Sequence, residues 1–166
     1  SGLWDQMQAT DLTALVTGEG QYDVVMLSTG GTAISFSSRE GANPPQLIVV
    51  AQGGSLPTAT PTATLVPGGD TPTPTQPPTS FTLVPVADTY AHATNPDANY
   101  GSSIALRTDA SPDVRSYLRF DTQAVSGPIT GATLRIYANT ASSVGYSVRG
   151  VTDNTWTEAG LTYNNA

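Results

Sequence analysis

Apolar and polar residues alternate over short stretches of this chain, and each stretch is bounded by Gly, Pro, Asn or Ser. A two-residue period places successive side chains on opposite faces of a strand. In the first fifty residues "YDVVMLST", "TAISFSS" and "PQLIVVA" have this character, divided by "GG" and by "REGANPP". Ile34 and Phe36 alternate with Ala33, Ser35 and Ser37, the pattern of a half-buried strand. The run 47–50 is apolar throughout, which predicts a strand covered on both faces. Ahead of these, "DLTALVTG" (11–18) reads as one or two helical turns, with Asp11 as N-cap and Gly18 as terminator. Further on, "FTLVPVADTYA", "SIALRTD", "RSYLRFD", "GATLRIYA" and "GYSVRGVTD" read as five more strands. One strand every ~8–15 residues predicts an all-β antiparallel sandwich rather than a parallel α/β sheet.

Neither group of strands looks complete alone. The first has three strands and no beginning; the second ends in "TWTEAGLTYNNA", which reads as the approach to another element. Between them residues 55–80 hold seven prolines and eight threonines with almost nothing to bury. Such a stretch favours extended, polyproline-like conformations and serves as a spacer. Thr flanked by Pro is also the composition of O-glycosylated stalks, with Thr58, Thr60, Thr62, Thr73 and Thr75 as candidate acceptors. The expected organisation is a partial module over 1–54, a linker over 55–80 and a second partial module over 81–166.

Composition narrows the chemistry. The chain of 166 residues has no cysteine, a single histidine and no lysine, and its formal net charge is -7. Disulfides and most zinc, haem and thiol chemistry are therefore excluded, and broad attraction to nucleic acid is not expected. No apolar run approaches the roughly 20 residues of a transmembrane helix. The chain opens on Ser1 with no leader-like segment, which reads as processed material or a piece of something longer.

The order of particular motifs carries a family resemblance. "VADTYAHATNPDANYGSSIALRTDASPDVRSYLRFD", continuing through "GATLRIYA" and "DNTWTEAGLTYNNA", resembles the opening half of the DNRLRE family. That bacterial and archaeal module is related to carbohydrate-binding module family 96. Its recurring pieces here are "ADTY", "NYG", "SYLRFD", "ATLRIY" and the stretch from Trp156 to Asn165. The region from "DLTALVTG" to "PQLIVV" resembles the closing half, with "FSSREGANPPQLIV" as its clearest marker. The resemblance implies a jelly-roll-like β-sandwich used as an accessory module in secreted and cell-surface proteins. Some relatives bind acidic polysaccharide such as alginate. With the closing half first, the chain reads as parts of two tandem copies.

Four arginines follow an aliphatic residue in a predicted strand: Arg107, Arg119, Arg135 and Arg149. If the preceding Leu106, Leu118, Leu134 and Val148 point inward, the arginines point outward, and Tyr117 and Tyr137 share their parity. Guanidinium groups pair with uronate carboxylates and aromatic rings cover sugar faces, so this set is a candidate glycan site. The competing reading pairs the arginines with Asp109, Asp113, Asp121 or Glu158 as ordinary surface ion pairs, and allows them to lie in different sheets. In "DTYAHATNPDANYG", Asp88, Asn95, Asp97 and Asn99 offer the hard oxygen ligands that calcium prefers, although the same residues build plain turns. Trp4 and Trp156 are read as packing residues, and His92 stands isolated. The acids are scattered and no Ser–His arrangement is recognisable, so no catalytic activity is expected.

Two functional readings follow. One is a non-catalytic, extracellular carbohydrate-binding or adhesive module. The other is a structural subunit of a filament or surface assembly, in which neighbouring copies complete each other's sheets. The linker is also long enough for the two flanks to close into one circularly permuted sandwich.

Overall fold

The computed structural model of the protein describes residues 6–53 and 77–166. Trp4 and the five candidate glycosylation threonines lie outside them. Ten strands form two antiparallel sheets: β1 (Met7–Asp11), β2 (Gln21–Ser28), β3 (Ile34–Ser37), β4 (Gln46–Ala51), β5 (Thr79–Leu83), β6 (Ala87–His92), β7 (Ala105–Ala110), β8 (Asp113–Asp121), β9 (Ile129–Tyr137) and β10 (Tyr146–Val151). One sheet has the order β1-β9-β4-β5. The other runs β10-β2-β8-β7-β3, with β6 also paired to β8. The expected all-β sandwich is therefore present.

The alternation read from the sequence builds the core. Val24 and Met26 of β2, Phe36 of β3 and Leu118 and Phe120 of β8 meet Leu47 and Val49 of β4 and Leu134 and Ile136 of β9 between the sheets. All are 0 to 1 % exposed. Burying one such side chain stabilises a fold by about 1.5–3 kcal/mol, so these positions dominate the packing energy.

Five details differ from expectation. The apolar run 47–50 alternates: Leu47 and Val49 face the core, while Ile48 and Val50 are half-buried on the opposite face of the sheet. Residues 11–18 form no helix. Leu15 and Val16 donate to the carbonyl of Leu12 at 2.9 Å, and Asp11 accepts from the Thr13 amide at 2.9 Å, making a single capped turn after β1. Strand β1 itself, "MQATD", has too few apolar residues to show a period and is held by its pairing to β9. Finally, "FTLVPVADTYA" is two strands. Pro85 cannot donate to a ladder. The chain breaks there and passes from β5 in one sheet to β6 in the other, leaving Val84 52 % and Val86 47 % exposed. Thr79 and Ser80, read as linker, belong to β5.

The two flanks interleave. Strand β1 pairs with β9, β2 with β8 and β10, β3 with β7, and β4 with β5 and β9. Past β10, residues 152–166 make no strand. They lie across the outer face of the larger sheet as a strap ending in a 3-10 turn, Tyr163–Asn165. Leu161 of the strap packs on Ala91 and Tyr117, with Val25, Val151, Trp156 and Tyr163 around them, so this face has a small apolar cluster of its own.

Candidate functional site

Strand register sets the surface beside the strap. Residues directly opposite in antiparallel strands share a face. Arg149 of β10 lies opposite Val25 of β2, which lies opposite Tyr117 of β8. One row further along, Leu27 faces Arg115. These rows floor an open cleft of about 630 Å³, walled by Asp109 and Asp113 on one side and by Gly150 to Thr152 on the other.

Its charges are arranged unequally. Arg115 Nη2 is paired with Asp113 Oδ2, and the Tyr163 hydroxyl donates to the same oxygen at 3.0 Å. The Asp113 carboxylate pushes both the Arg115 guanidinium and the Tyr163 hydroxyl above their ordinary values. Both keep their protons at neutral pH. Arg149 is different: it is exposed, and among the described residues no carboxylate lies within ion-pair distance of it. The cleft thus offers an uncommitted guanidinium over a largely aliphatic floor, Tyr117 lying beneath it 6 % exposed, with a second guanidinium already neutralised.

The six residues expected to form one Arg–Tyr face are distributed over several places. Arg149 and Tyr117 meet in the cleft. Arg107 lies beside Tyr90, whose hydroxyl is pushed up by burial and whose ring stacks on Tyr100 at 4.1 Å. Arg135 and Tyr137 are on β9, in the other sheet. Arg119 is structural: its Nε donates to Asp23 Oδ1 at 2.7 Å, and its guanidinium lies 4.5 Å from the centre of the Trp156 ring. The parity argument held strand by strand, but parity says nothing about which sheet a strand joins.

The candidate oxygen ligands around residue 97 also separate. Asp97 accepts from Asn164 Nδ2 at 2.7 Å, and Asn95 shapes a turn by accepting from the Ala98 amide at 3.0 Å. Asn99 Nδ2 donates to the carbonyls of Glu158 at 2.7 Å and Leu161 at 2.8 Å. The "NPDANYG" loop is therefore the dock for the strap. Among the described residues the His92 ring bonds only locally, its Nδ1 accepting from the Thr94 amide at 3.2 Å. Gly101 lies so close under the Glu158 carbonyl that a Cβ there would overlap it. Gly101→Ala is expected to cost about 1–3 kcal/mol through this overlap, read as a lowered Tm in thermal unfolding.

Asp88 sits elsewhere, 1 % exposed. Its Oδ2 accepts from the Arg39 amide at 2.7 Å, and its own amide donates to Glu158 Oε1 at 2.9 Å. Arg39 Nη2 contacts Glu158 Oε2 at 2.7 Å and Glu40 Oε1 at 3.0 Å. Burial, with the neighbouring Glu40 and Glu158 carboxylates adding to it, raises Asp88 to about 7. The three carboxylates have oxygens within 4.8 Å of one another and are of the type that binds calcium. The Arg39 guanidinium, however, already supplies a cation to two of them. Sequence reading missed Arg39, Glu40 and Glu158 as partners of Asp88. Their only signal was being charged in a chain with 11 % charged residues.

Among the described residues no helix is long and apolar enough to cross a membrane. No curated protein and no solved structure matches the chain. Residues 79–166 match the family described as carbohydrate-binding module family 96. The matched region contains β5 to β10, the strap and the loop that docks it. Over half its length, and through the strands that carry the cleft's Arg115, Tyr117 and Arg149, the chain belongs to carbohydrate-binding module family 96.

Proposed function

We propose that the protein is a non-catalytic polysaccharide-binding module of a secreted or cell-surface protein, and that it holds an acidic polymer such as alginate in the cleft beside the strap. The observation that carries the reading is Arg149, exposed and free of a carboxylate partner among the described residues, in one cross-strand row with Val25 and Tyr117. A guanidinium fork matches a uronate carboxylate, and the half-buried Val25 and Leu27 beside it give the sugar chain an apolar surface to lie on. The floor is rigid because it consists of strands rather than loops.

Asp88, raised to about 7 beside two other carboxylates, has the electrostatics of an acid–base pair. It is 1 % exposed, and neither it nor its partners line the cleft. A glycosidic bond could not reach it, which favours binding without hydrolysis.

Affinity electrophoresis or calorimetry against alginate, polygalacturonate and a neutral glucan tests the reading. Alginate or polygalacturonate is expected to bind, more weakly with added salt. Arg149→Ala is expected to weaken binding about tenfold or more, the scale of one charge-assisted contact. Arg135→Ala, on the other sheet, should leave it unchanged. Equal binding of neutral glucan with no effect of Arg149→Ala would defeat the acidic-ligand reading.

A further inference from the structure

We infer that residues 6–53 form a donor flank exchangeable between molecules, so that the fold has a second copy of this chain as a built-in partner. The inference goes beyond glycan binding and does not depend on it. Among the described residues, all six pairings made by β1 to β4 are with β5 to β10, and none joins two strands of the first flank. Two of the donated strands are interior: β2 lies between β10 and β8, and β4 between β9 and β5. Removing the first flank would open one gap in each sheet and expose the inner faces of β8 and β9.

The apolar fit is equally reciprocal. Met26, Phe36 and Leu47 of the first flank are 0 % exposed, as are Leu118, Phe120 and Leu134 of the second. Two polar locks fix the register across the same boundary: Asp23 with Arg119 and Arg39 with Glu158, each at 2.7 Å. Unpaired strand edges with an open apolar face seek a complement, and the complement specified here is another stretch of the same chain.

Nothing in these contacts requires the two flanks to be covalently continuous. The connection between them, residues 54–76, is Thr/Pro-rich in sequence. A copy that has lost its own first flank to a neighbour can accept one in return and make the same bonds, which is domain exchange. Reciprocal exchange closes a dimer, and head-to-tail exchange extends a chain. The covalent tether gives the internal flank an effective concentration of millimolar order, so dilute folding closes within one molecule and concentrated folding opens the exchange.

The test refolds the full chain from denaturant at low concentration and near the millimolar range. The concentrated sample is expected to contain dimers and larger species that survive dilution; monomer alone at every concentration overturns the inference. The chain has no cysteine, so two single-cysteine copies, Ile48→Cys and Thr133→Cys, can report on the contact. These positions are paired between β4 and β9 and half-exposed on the outer face. Co-refolded at high concentration, the two copies should be joined by a short thiol cross-linker. The same copies folded separately and then mixed should not. Dimers that form without this cross-link would place the contact elsewhere and equally overturn the exchange.

Discussion

Replacing Arg119 with alanine is expected to lower the stability of the protein by about 3–5 kcal/mol, the scale for breaking a buried ion pair. That corresponds to a fall in Tm on the order of 10 °C for a chain of this size. The reason is the number of elements this side chain ties together. Its Nε and Nη2 hold both oxygens of Asp23 on β2, at 2.7 and 3.3 Å. Nη2 also donates to the Asn154 carbonyl at 2.7 Å and Nη1 to the Trp156 carbonyl at 3.2 Å, clamping the start of the strap. The Asp23 and Arg119 side chains are only 2 % and 13 % exposed, so the carboxylate left behind would be largely shielded from bulk water. Alanine would leave a buried carboxylate alone and remove the cation from the Trp156 ring. Lysine should recover only part of the loss, because an ammonium cannot form the fork and the carbonyl contacts together. Asp23→Ala made on top of Arg119→Ala should cost far less than Asp23→Ala alone, since the charge it removes is by then unpaired. Equilibrium unfolding of the four chains checks the pattern. Equal and additive losses would mean that the pair contributes packing alone.

This prediction also shows what a sequence can and cannot specify here. Arg107, Arg119, Arg135 and Arg149 have nearly the same local setting, an aliphatic neighbour in a short strand. Alternation correctly turns Leu106, Leu118 and Leu134 inward, because the two-residue period is a property of the strand itself. What each arginine meets depends on which strand lies next to it, and that is set by pairings over 96 residues, as between Asp23 and Arg119. The distance between Arg39 and Glu158 along the chain is 119 residues, so their contact had no local signature either. The motif order was more informative than the residue chemistry. "NPDANYG" and "TWTEAGLTYNN" were recognisable as family pieces, and the structure brings them together as dock and strap. Asp97 and Asn99, which looked like ligands for a cation, hold protein instead. Strand β1 was invisible because most of what makes it a strand lies in β9.

Asp88→Asn is expected to raise stability above pH 7 and to flatten its dependence on pH. Burial, reinforced by Glu40 and Glu158, raises the Asp88 carboxyl from its ordinary 3.8 to about 7, although the Arg39 amide acts in the opposite sense. In the unfolded chain the same group titrates at its ordinary value. Between those limits the folded state binds a proton that the unfolded state releases, so unfolding becomes easier as pH rises. The contribution is therefore complete below about pH 4 and lost as pH climbs through about 7. For a shift of this size the change is on the order of a few kcal/mol. Asp11 and Asp153 behave oppositely. Hydrogen bonds from the Thr13 and Thr155 side chains hold their carboxylates below the usual value, and what they contribute disappears only in acid. A Tm series from pH 5 to pH 8 thus isolates Asp88 from them. Asparagine reproduces the protonated acid: one oxygen to accept from the Arg39 amide, and a donor turned toward Glu40. The wild-type Tm should fall across the series while that of Asp88→Asn stays nearly level, and the two curves should converge at the acid end. Arg39→Ala provides the opposite sign. It removes the guanidinium that contacts Glu40 and Glu158. Three carboxylates without a counter-charge should make the wild-type slope steeper. A wild-type Tm that rises from pH 5 to pH 8 would show that Asp88 is ionised in the folded chain and that the neighbouring charges are arranged to favour it.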